Sequence, residues 1–403
     1  MVMRADSGKE SGIPDFNNIE IAFRHVSDGQ LKKAWWLFRL MGAGWLMQPL
    51  ARAGQVAVRM GLPVQGLIRA TVFKQFCGGE SISDCRHTIE WLGATGVGTI
   101  LDFAREGGQA EPDLEQTAAE THRNIDYAAE NSEHIPFCVF KPTGMVSFDL
   151  LEKAGAGTLT EGEKEVYTRG LDRIRQVCRH GAEKGVRVFI DAEESWIQDP
   201  VDDLCLELMQ RFNRQRPLIY TTLQMYRKDR PGYLEQLAAR AREDDFYPGV
   251  KFVRGAYLDK ERERADHLGL PSPVFDRKDE TDRAFDNALR LCFGQPGRFG
   301  ICAGTHNDQS TRLMVQLMEE NGIGRDHPDY TFSQLLGMSD HLTFNLAFHG
   351  YQASKYVPYG PVREVLPYLT RRAEENASIR GQVSRELQLI ARELRRRAGA
   401  CGK

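Results

Sequence analysis

The sequence lacks several patterns that identify common classes of protein. Its eight cysteines include no CxxC pair and no paired spacing, so they predict no disulfide framework. The first residues, MVMRADSGKESG, carry none of the apolar core of a signal peptide. A net charge of −3 at pH 7 argues against a general nucleic-acid binder, so we expect no nucleic-acid partner. These absences predict reduced, mostly buried thiols in a cytosolic protein.

Two ligand-binding motifs are also missing. No GxGxxG follows the first predicted strand, which weakens the case for a doubly wound open sheet of the Rossmann type. The ten histidines are scattered, with no HxH or HExxH pair. His306 could be considered as a zinc ligand, but no second histidine accompanies it, and we predict no metal site.

One stretch is unusually apolar and rich in tryptophan. Residues 34–51, AWWLFRLMGAGWLMQPLA, are barely long enough to span a bilayer, and Arg39 and Pro49 interrupt them. We expect a buried helical arm here. A helix that lies in the membrane interface is the alternative, since tryptophan and basic flanking residues suit that position.

From about residue 98, short β-rich runs alternate with longer amphipathic segments. Eight strands each followed by a helix predict an α/β fold, a (β/α)₈ TIM-type barrel. We expect residues 1–95 to form an N-terminal helical arm and residues 96–403 to form the barrel with a C-terminal helix. The predicted strands are 98–103, 136–141, 187–192, 218–225, 249–257, 299–306, 330–338 and 354–360.

Polar residues stand at most predicted strand ends. Active sites of such barrels lie at the carboxyl ends of the strands, so these residues are candidate site groups: Lys141, Asp191, Glu193, Gln224, Tyr257, His306 and Tyr356.

The segment YLTRRAEEN, residues 368–376, follows the eighth strand and favours a helix. A solvated helix face with ion pairs is one interpretation. The other is an anion site at the same rim as Lys141, because the planar forks of Arg371 and Arg372 suit a carboxylate or phosphate. Glu375 would then fix an arginine.

The segments KFVRGAY and THN add further candidates. Lys251 and Arg254 supply positive charge, and Gly255 allows the backbone to approach a ligand closely. A barrel that holds an extended, phosphate-bearing cofactor would use such residues. Residues 305–307 could offer a hydroxyl, an imidazole and an amide to the same ligand.

Three other functions fit parts of this pattern. Asp191 and Glu193 could be the acid and base of a glycosidase, although clustered cations suit a neutral sugar poorly. Lys141 could be the nucleophile of a Schiff-base aldolase. A non-enzymatic binding module fits least well, since ionisable groups converge from most strand ends.

The ordered motifs FKPTG, IDAEES, TLQMY, KFVRGAY, GTHN, QLLGM, KYVPYG and YLTRRAEEN resemble those of the flavin-dependent proline dehydrogenase family. The resemblance runs from about residue 136 to the end of the chain, and FRHVSDGQLKKAWWLF resembles the arm of single-function members. It implies a distorted (β/α)₈ barrel with non-covalent FAD. It also implies oxidation of L-proline to Δ1-pyrroline-5-carboxylate, the first step of proline catabolism, with electrons passed to a membrane quinone.

The resemblance also implies roles for individual residues. Arg371, Arg372 and Lys141 would hold the proline carboxylate, and Glu375 would orient the arginines. Tyr257 and Leu335 would pack on the pyrrolidine ring, Tyr356 would lie near its C4, and Asp191 would organise the pocket by hydrogen bonds. Lys251, an arginine in the bifunctional bacterial members, would lie near the flavin N5. The FAD contacts would be Gln224, Lys251, Val253, Arg254, Gly255, Ala256, Thr305, His306, Asn307, Arg372, Glu375 and Ser378.

Selectivity and location follow from the same resemblance. Tyr356 favours proline, because hydroxyproline-selective relatives carry a smaller residue there; hydroxyproline dehydrogenase is the alternative. Eukaryotic members work in mitochondria, but this amino terminus is not an arginine-rich, acid-poor transit peptide. We expect a bacterial cytoplasmic protein that binds the inner membrane peripherally.

Overall fold

The computed structural model describes residues 12–41, 65–105, 109–378 and 380–400, without the side chains of residues 41, 65, 67, 371–378, 380–384 and 400. All eight predicted strands are present. They are β1 Gly98–Phe103, β2 Phe137–Phe140, β3 Arg187–Ile190, β4 Ile219–Gln224, β5 Gly249–Val253, β6 Gly300–Gly304, β7 Tyr330–Leu335 and β8 Ala353–Tyr359. Six lie within two residues of their predicted bounds, whereas β5 and β7 end at Val253 and Leu335, before their predicted ends at 257 and 338.

The strands form a closed barrel in the order β1 to β8, which confirms the predicted (β/α)₈ fold. Neighbouring strands pair in parallel, for example Val188 with Ile219 and Thr222 with Lys251. Every residue of β2 and β4 is buried. Strands covered on both faces tend to read as apolar runs, as the sequence FCVF of β2 does, and this signal made β2 predictable.

The bounds of the helices are α1 Ile19–Phe23, α2 Asp28–Met41, α3 Gln65–Ile68, α4 Lys74–Phe76, α5 Ile82–Ala94, α6 Glu111–Glu130, α7 Phe148–Gly155, α8 Glu161–Lys184, α9 Gln198–Phe212, α10 Arg230–Glu243, α11 Leu258–Leu268, α12 Lys278–Phe293, α13 Asp308–Glu320, α14 Asp340–Phe348, α15 Val362–Ser378 and α16 Arg380–Ala400. Helices α1 to α5 precede the first strand, and every strand is followed by at least one helix. A π-helical turn, Arg69–Phe73, joins α3 to α4, and 3₁₀ turns occupy Pro142–Gly144 and Ser195–Ile197.

Local sequence signals fix the ends of α8. Thr160 and Glu163 form a capping box at its start, and Gly185 ends it in the left-handed conformation with φ +69°. Ile174, Val177 and Cys178 are buried along one face. The helix therefore packs by the 3.6-residue period that its sequence shows.

The chain divides into two compact units, which we call the terminal unit (Met1–Gly107 with Gln334–Lys403) and the central unit (Gly108–Ser333). The predicted division into an arm of residues 1–95 and a barrel of residues 96–403 stays a prediction. In the central unit, Phe137 stacks on Phe189 with ring centroids 4.2 Å apart, and Tyr220 meets both rings edge-on. Such offset and T-shaped pairs are the favoured aromatic geometries.

The terminal unit has a core of its own. Phe23, Phe76, Leu369 and Ile390 belong to one buried apolar cluster. Arg397 of α16 donates to the carbonyl oxygens of Phe23 and Val26, 2.7 and 2.8 Å away, and so ties the last helix to the first ones. The predicted C-terminal helix is thus confirmed.

The sequence analysis made predictions about the cysteines and about the Trp-rich stretch of residues 34–51. The seven described cysteines are free and buried, as expected; Cys401 lies outside the described residues. Of the Trp-rich stretch, residues 34–41 belong to α2, whereas residues 42–51 lie outside the described part of the chain. Among the described helices, none combines the length and apolar character needed to cross a bilayer.

Candidate active site

A buried ion pair lies at the carboxyl ends of the central-unit strands. Asp191 directly follows β3, and its N–H donates to the Phe140 carbonyl oxygen over 3.0 Å. Lys251 of β5 reaches across β4 and forms an ion pair with Asp191 Oδ1. The Thr222 hydroxyl donates to the same oxygen over 3.4 Å. The strands therefore bring together two of the predicted site residues.

The surroundings of Lys251 are mostly apolar. Its side chain is 6% exposed and that of Asp191 is 15% exposed. The ammonium lies 4.9 Å from the centroid of the Phe189 ring, a cation–π distance. Two charges in such a place each need the other, because an unpaired buried charge is costly.

A second carboxylate, Glu193, lies in the loop after β3. It accepts two hydrogen bonds from Thr143, one from the backbone N–H at 3.1 Å and one from the hydroxyl at 2.7 Å. Burial raises the pKa of Glu193 to about 7, although the charge of Lys141 and the Thr143 bonds oppose the rise. Glu193 therefore changes protonation near neutral pH. Asp191 and Glu193 have different partners, Lys251 and Thr143 respectively.

Gln224 connects three strand ends. This buried side chain donates to the Glu193 carbonyl oxygen over 2.6 Å and accepts from the Ala256 N–H over 3.3 Å. It thus holds the chain after β3 against the chain after β5. The sequence prediction that Gln224 lies at the strand-end rim is consistent with this position.

Gly255 has a backbone conformation that requires glycine. Its φ is +133°, and a Cβ atom there would lie 2.5 Å from the Tyr226 ring. The adjoining turn is fixed by a hydrogen bond of 2.8 Å from the Tyr226 N–H to the Arg254 carbonyl oxygen. The Tyr226 ring and the left-handed φ therefore leave room for no side chain at this position.

Arg254 is extensively bonded within the protein. Its guanidinium donates to Asp282 over 2.7 Å, to Thr305 over 2.5 Å and to Ser310 over 3.0 Å. It also lies 4.7 Å from the centroid of the Phe285 ring. Because β5 ends at Val253, Arg254 meets α12 and α13, whereas Lys251 meets the β3 end.

The residues after β6 form the start of α13. Asn307 is its N-cap, and the amide oxygen accepts from the N–H groups of Gln309 and Ser310 at 2.8 and 3.1 Å. The Thr305 hydroxyl accepts from the Asn307 N–H at 3.1 Å, while His306 is partly exposed. The oxygen of Asn307 thus has a structural role, which an Asn before a helix predicts.

Tyr257 is buried and immediately precedes α11. The ammonium of Lys260 lies 5.4 Å from the centroid of its ring and 2.9 Å from a carboxylate oxygen of Glu194. Behind it, the buried Glu261 carboxylate accepts from the N–H and the hydroxyl of Ser195 at 2.7 and 2.6 Å. Burial raises the pKa of Glu261, although these bonds lower it.

Lys141 lies in the central unit, at the start of the 3₁₀ turn that follows β2. The terminal unit contains Leu335, Tyr356 and the arginine motif. Leu335 ends β7, and the N–H of Leu336 donates to the carbonyl oxygen of Tyr356 over 2.9 Å. Leu335 and Tyr356 thus belong to adjoining segments of this unit. Beside them lies Lys355, which is buried and paired with Asp340 at 2.7 Å.

The arginine motif lies in α15, where the sequence analysis expected a helix. The buried Tyr368 and Leu369 fix one face of this helix. The side chains of Arg371, Arg372, Glu375 and Ser378 lie outside the described part of the structure, so their predicted roles stay predictions.

Several residues around the site were not predicted from the sequence. Asp282 and Thr222 bind predicted residues across long stretches of chain, and nothing in their local sequence marks them. Thr143 lies in the FKPTG motif, two residues after Lys141, and this proximity could have marked it as a site residue. Lys355 is the first residue of KYVPYG, directly before Tyr356.

Comparison with known proteins identifies the family. The family model described as proline dehydrogenase matches residues 85–385, which is most of the chain. The carbapenem antibiotics biosynthesis protein CarD of Pectobacterium carotovorum subsp. carotovorum is 34% identical over 334 residues, which are 83% of this chain and 86% of that protein. Proline dehydrogenase 1, mitochondrial, of Dictyostelium discoideum is 32% identical over 385 residues, covering 83% of this chain and 66% of that protein.

A solved structure has the same fold. Proline utilization A (PutA) from Bdellovibrio bacteriovorus, inactivated by N-propargylglycine, superposes with a TM-score of 0.70 at 20% identity. The match covers 89% of this chain but 38% of PutA, so this chain spans well under half of that protein. The chain belongs to the proline dehydrogenase family, whose members are oxidoreductases that act on the CH–NH group of proline.

Proposed function

We propose that this chain oxidises L-proline to Δ1-pyrroline-5-carboxylate, the first step of proline catabolism, with non-covalently bound FAD and a membrane quinone as electron acceptor. Family membership supports the reaction. Within the site, the buried pair of Lys251 and Asp191 carries the proposal best. A desolvated cation near the strand ends suits a flat anionic cofactor better than a neutral sugar.

The residues after β5 and β6 fit FAD. Gly255 has a backbone conformation that excludes a side chain. Lys251, paired with Asp191, and Arg254, held by Asp282 beside the start of α13, are the two cations there. We propose that these residues hold the cofactor together with Gln224, Val253, Ala256, Thr305, His306, Asn307, Arg372, Glu375 and Ser378. When bound, FAD supplies the two-electron oxidation chemistry that no side chain has.

The proline carboxylate needs cationic partners. We assign Arg371, Arg372 and Lys141 to it, because guanidinium groups bind a carboxylate through two parallel hydrogen bonds and the lysine adds a point charge. Glu375 would orient the arginines. Holding the substrate by its carboxylate fixes the reacting C–H bond in place, and such positioning can supply much of the barrier reduction.

The pyrrolidine ring needs apolar contacts and shape. We assign Tyr257, Leu335 and Tyr356 to the ring and Asp191 to the organisation of the pocket. Tyr356 would exclude a hydroxyl group at C4, which is why we propose proline as the substrate and not hydroxyproline. The amine must be neutral when its C–H bond breaks, so turnover should rise with pH.

A quinone that is dissolved in the membrane can accept electrons only if the enzyme touches the membrane surface. On α2, Trp36 is 64% exposed and Leu40 is 43% exposed, and the Arg39 guanidinium lies 5.4 Å from the centroid of the Trp36 ring. An exposed aromatic and aliphatic surface with a cation suits the headgroup boundary of a bilayer. We propose that this surface touches the bacterial inner membrane from the cytoplasm. Co-sedimentation with anionic liposomes should fall in a Trp36→Ser, Leu40→Ser double variant.

The reaction is tested with the purified, FAD-loaded protein, L-proline and a soluble quinone analogue. Mass spectrometry should detect Δ1-pyrroline-5-carboxylate in step with quinone reduction. trans-4-Hydroxy-L-proline should react far more slowly. If the hydroxyproline reaction is the faster one, the alternative substrate is correct; if neither compound is consumed, the proposed function is wrong.

A further inference from the structure

A buried lysine, Lys355, occupies the strand position before Tyr356. Its side chain is 1% exposed. The ammonium forms an ion pair with Asp340 at 2.7 Å and donates to the carbonyl oxygens of Met338 and, at 3.4 Å, Leu335. These three partners match the three N–H donors of an ammonium group.

The partners of Lys355 lie within residues 335–340, which run from the last residue of β7 to the first residue of α14 and which we call the loop. The loop has two left-handed residues, Gly337 with φ +76° and Ser339 with φ +51°. For a serine, this conformation costs free energy and persists only where the surroundings impose it. Here the Ser339 N–H donates to the buried carboxylate of Glu386, and the Gln75 amide donates to the Gly337 carbonyl oxygen over 3.3 Å.

A buried cation is a costly way to stabilise a fold. Well-packed apolar side chains often replace such charges with no loss of stability. A role in holding neighbouring residues in place therefore explains a buried lysine better than a role in stability does. Lys355 contacts the backbone of Leu335 directly, and Tyr356 accepts a backbone hydrogen bond from Leu336. Lys355 and Tyr356, which are consecutive in β8, thus both bond to residues 335–340.

We propose that Lys355 is a positioning residue that sets the spacing between Leu335 and Tyr356, and thereby the fit of an unsubstituted pyrrolidine ring. The inference rests on the proposed function, which assigns Leu335 and Tyr356 to the substrate ring. Lys355 acts through the carbonyl oxygens of the loop and touches no substrate.

The test is Lys355→Met, which keeps an unbranched side chain one atom shorter than lysine and removes the three donors. We expect kcat/KM for L-proline to fall about 10–100-fold, mostly through KM, because small displacements of a binding group have effects of that size. The preference for L-proline over trans-4-hydroxy-L-proline should fall by about tenfold, since a looser pocket discriminates less against added atoms.

A matched control separates positioning from stability. Glu393 is fully buried in the same unit and pairs with Arg396 and Arg397, away from the loop. Glu393→Gln should lower the thermal unfolding temperature and leave KM and the substrate preference unchanged. Lys355→Arg should recover part of the preference, because it restores charged donors.

Each result bears on the proposal. If the Lys355→Met enzyme is active with unchanged KM and substrate preference, the proposal is wrong and the proposed function is unaffected. If the wild-type enzyme does not oxidise proline, the proposed function itself is wrong. If Lys355→Met fails to fold, Asp340→Asn decides: a smaller change of KM and preference in the same direction supports the proposal, and no change contradicts it.

Discussion

Lys251 and Asp191 lie 60 residues apart in the chain and form a buried ion pair across three barrel strands. Asp191 follows β3, Lys251 belongs to β5, and Thr222 of the intervening β4 donates to the same carboxylate. The pair places opposite charges where the strands end. We regard it as the organising contact of the candidate site.

Removing one member of this pair should be costly. Lys251→Met leaves the Asp191 carboxylate buried without its cation, and the free energy of unfolding should fall by about 3–5 kcal/mol. Urea denaturation of the FAD-loaded protein measures the change. The Lys251→Met, Asp191→Asn double variant should recover part of the loss.

An exposed pair serves as the control for that experiment. Lys278 and Asp282 form an ion pair whose lysine is exposed to solvent. Lys278→Met should change the free energy of unfolding by less than about 1 kcal/mol. Equal losses in the Lys251→Met and Lys278→Met variants would contradict the importance of the buried pair.

The two arginines of α15 should act on substrate binding. Arg371→Met or Arg372→Met should raise the KM for L-proline about 10–100-fold, the loss expected for a charged hydrogen bond to a carboxylate. Arg363→Met, at an exposed position of the same helix, should leave KM unchanged. Loss of bound flavin with an unaltered KM would show that the carboxylate assignment is wrong.

Gly255 should not tolerate a side chain. In Gly255→Ala, the methyl group would collide with the Tyr226 ring at a φ that alanine rarely adopts. We expect a loss of about 1–3 kcal/mol from the strained backbone alone, and weaker flavin retention. Gly162 in α8 has open space around its Cβ position, so Gly162→Ala should be neutral or slightly stabilising. Similar thermal unfolding temperatures for both variants would contradict this assignment.

Glu193 should make stability depend on pH. Its pKa is raised from 4.5 to about 7 by burial, so between these values the unfolded chain loses a proton that the folded chain keeps. Stability from this group therefore falls as pH rises from 4.5 to 7, and the loss is complete above that range. Glu193→Gln removes the effect. The thermal unfolding temperature of the variant should rise relative to wild type between pH 5 and pH 8; a constant difference would refute the shifted pKa.

The fold could be predicted from the sequence because its signal is local. Strand β2, FCVF, is buried throughout and forms a continuous apolar run, and α8 carries both a capping box and a terminal glycine. These signals depend on neighbouring residues only. Eight strands that alternate with helices then predicted a closed barrel.

The site could be predicted only in part, because charge pairing is non-local. Arg254 was expected to serve a cofactor phosphate, but whether Asp282 and Ser310 would bind its guanidinium cannot be read from KFVRGAY. The oxygen of Asn307 caps a helix, a role that its place before α13 could have suggested. The contacts of Lys355 with residues 335–340 depend on how β7 and β8 are placed in the fold, so the sequence alone did not predict them.

The most direct test of the account is the visible absorbance spectrum of the purified protein, recorded before and after L-proline is added without oxygen. We predict a flavin spectrum that bleaches with L-proline and much less with trans-4-hydroxy-L-proline. A flavin spectrum that does not respond to L-proline, or a colourless protein that cannot be reconstituted with FAD, would contradict the central claim.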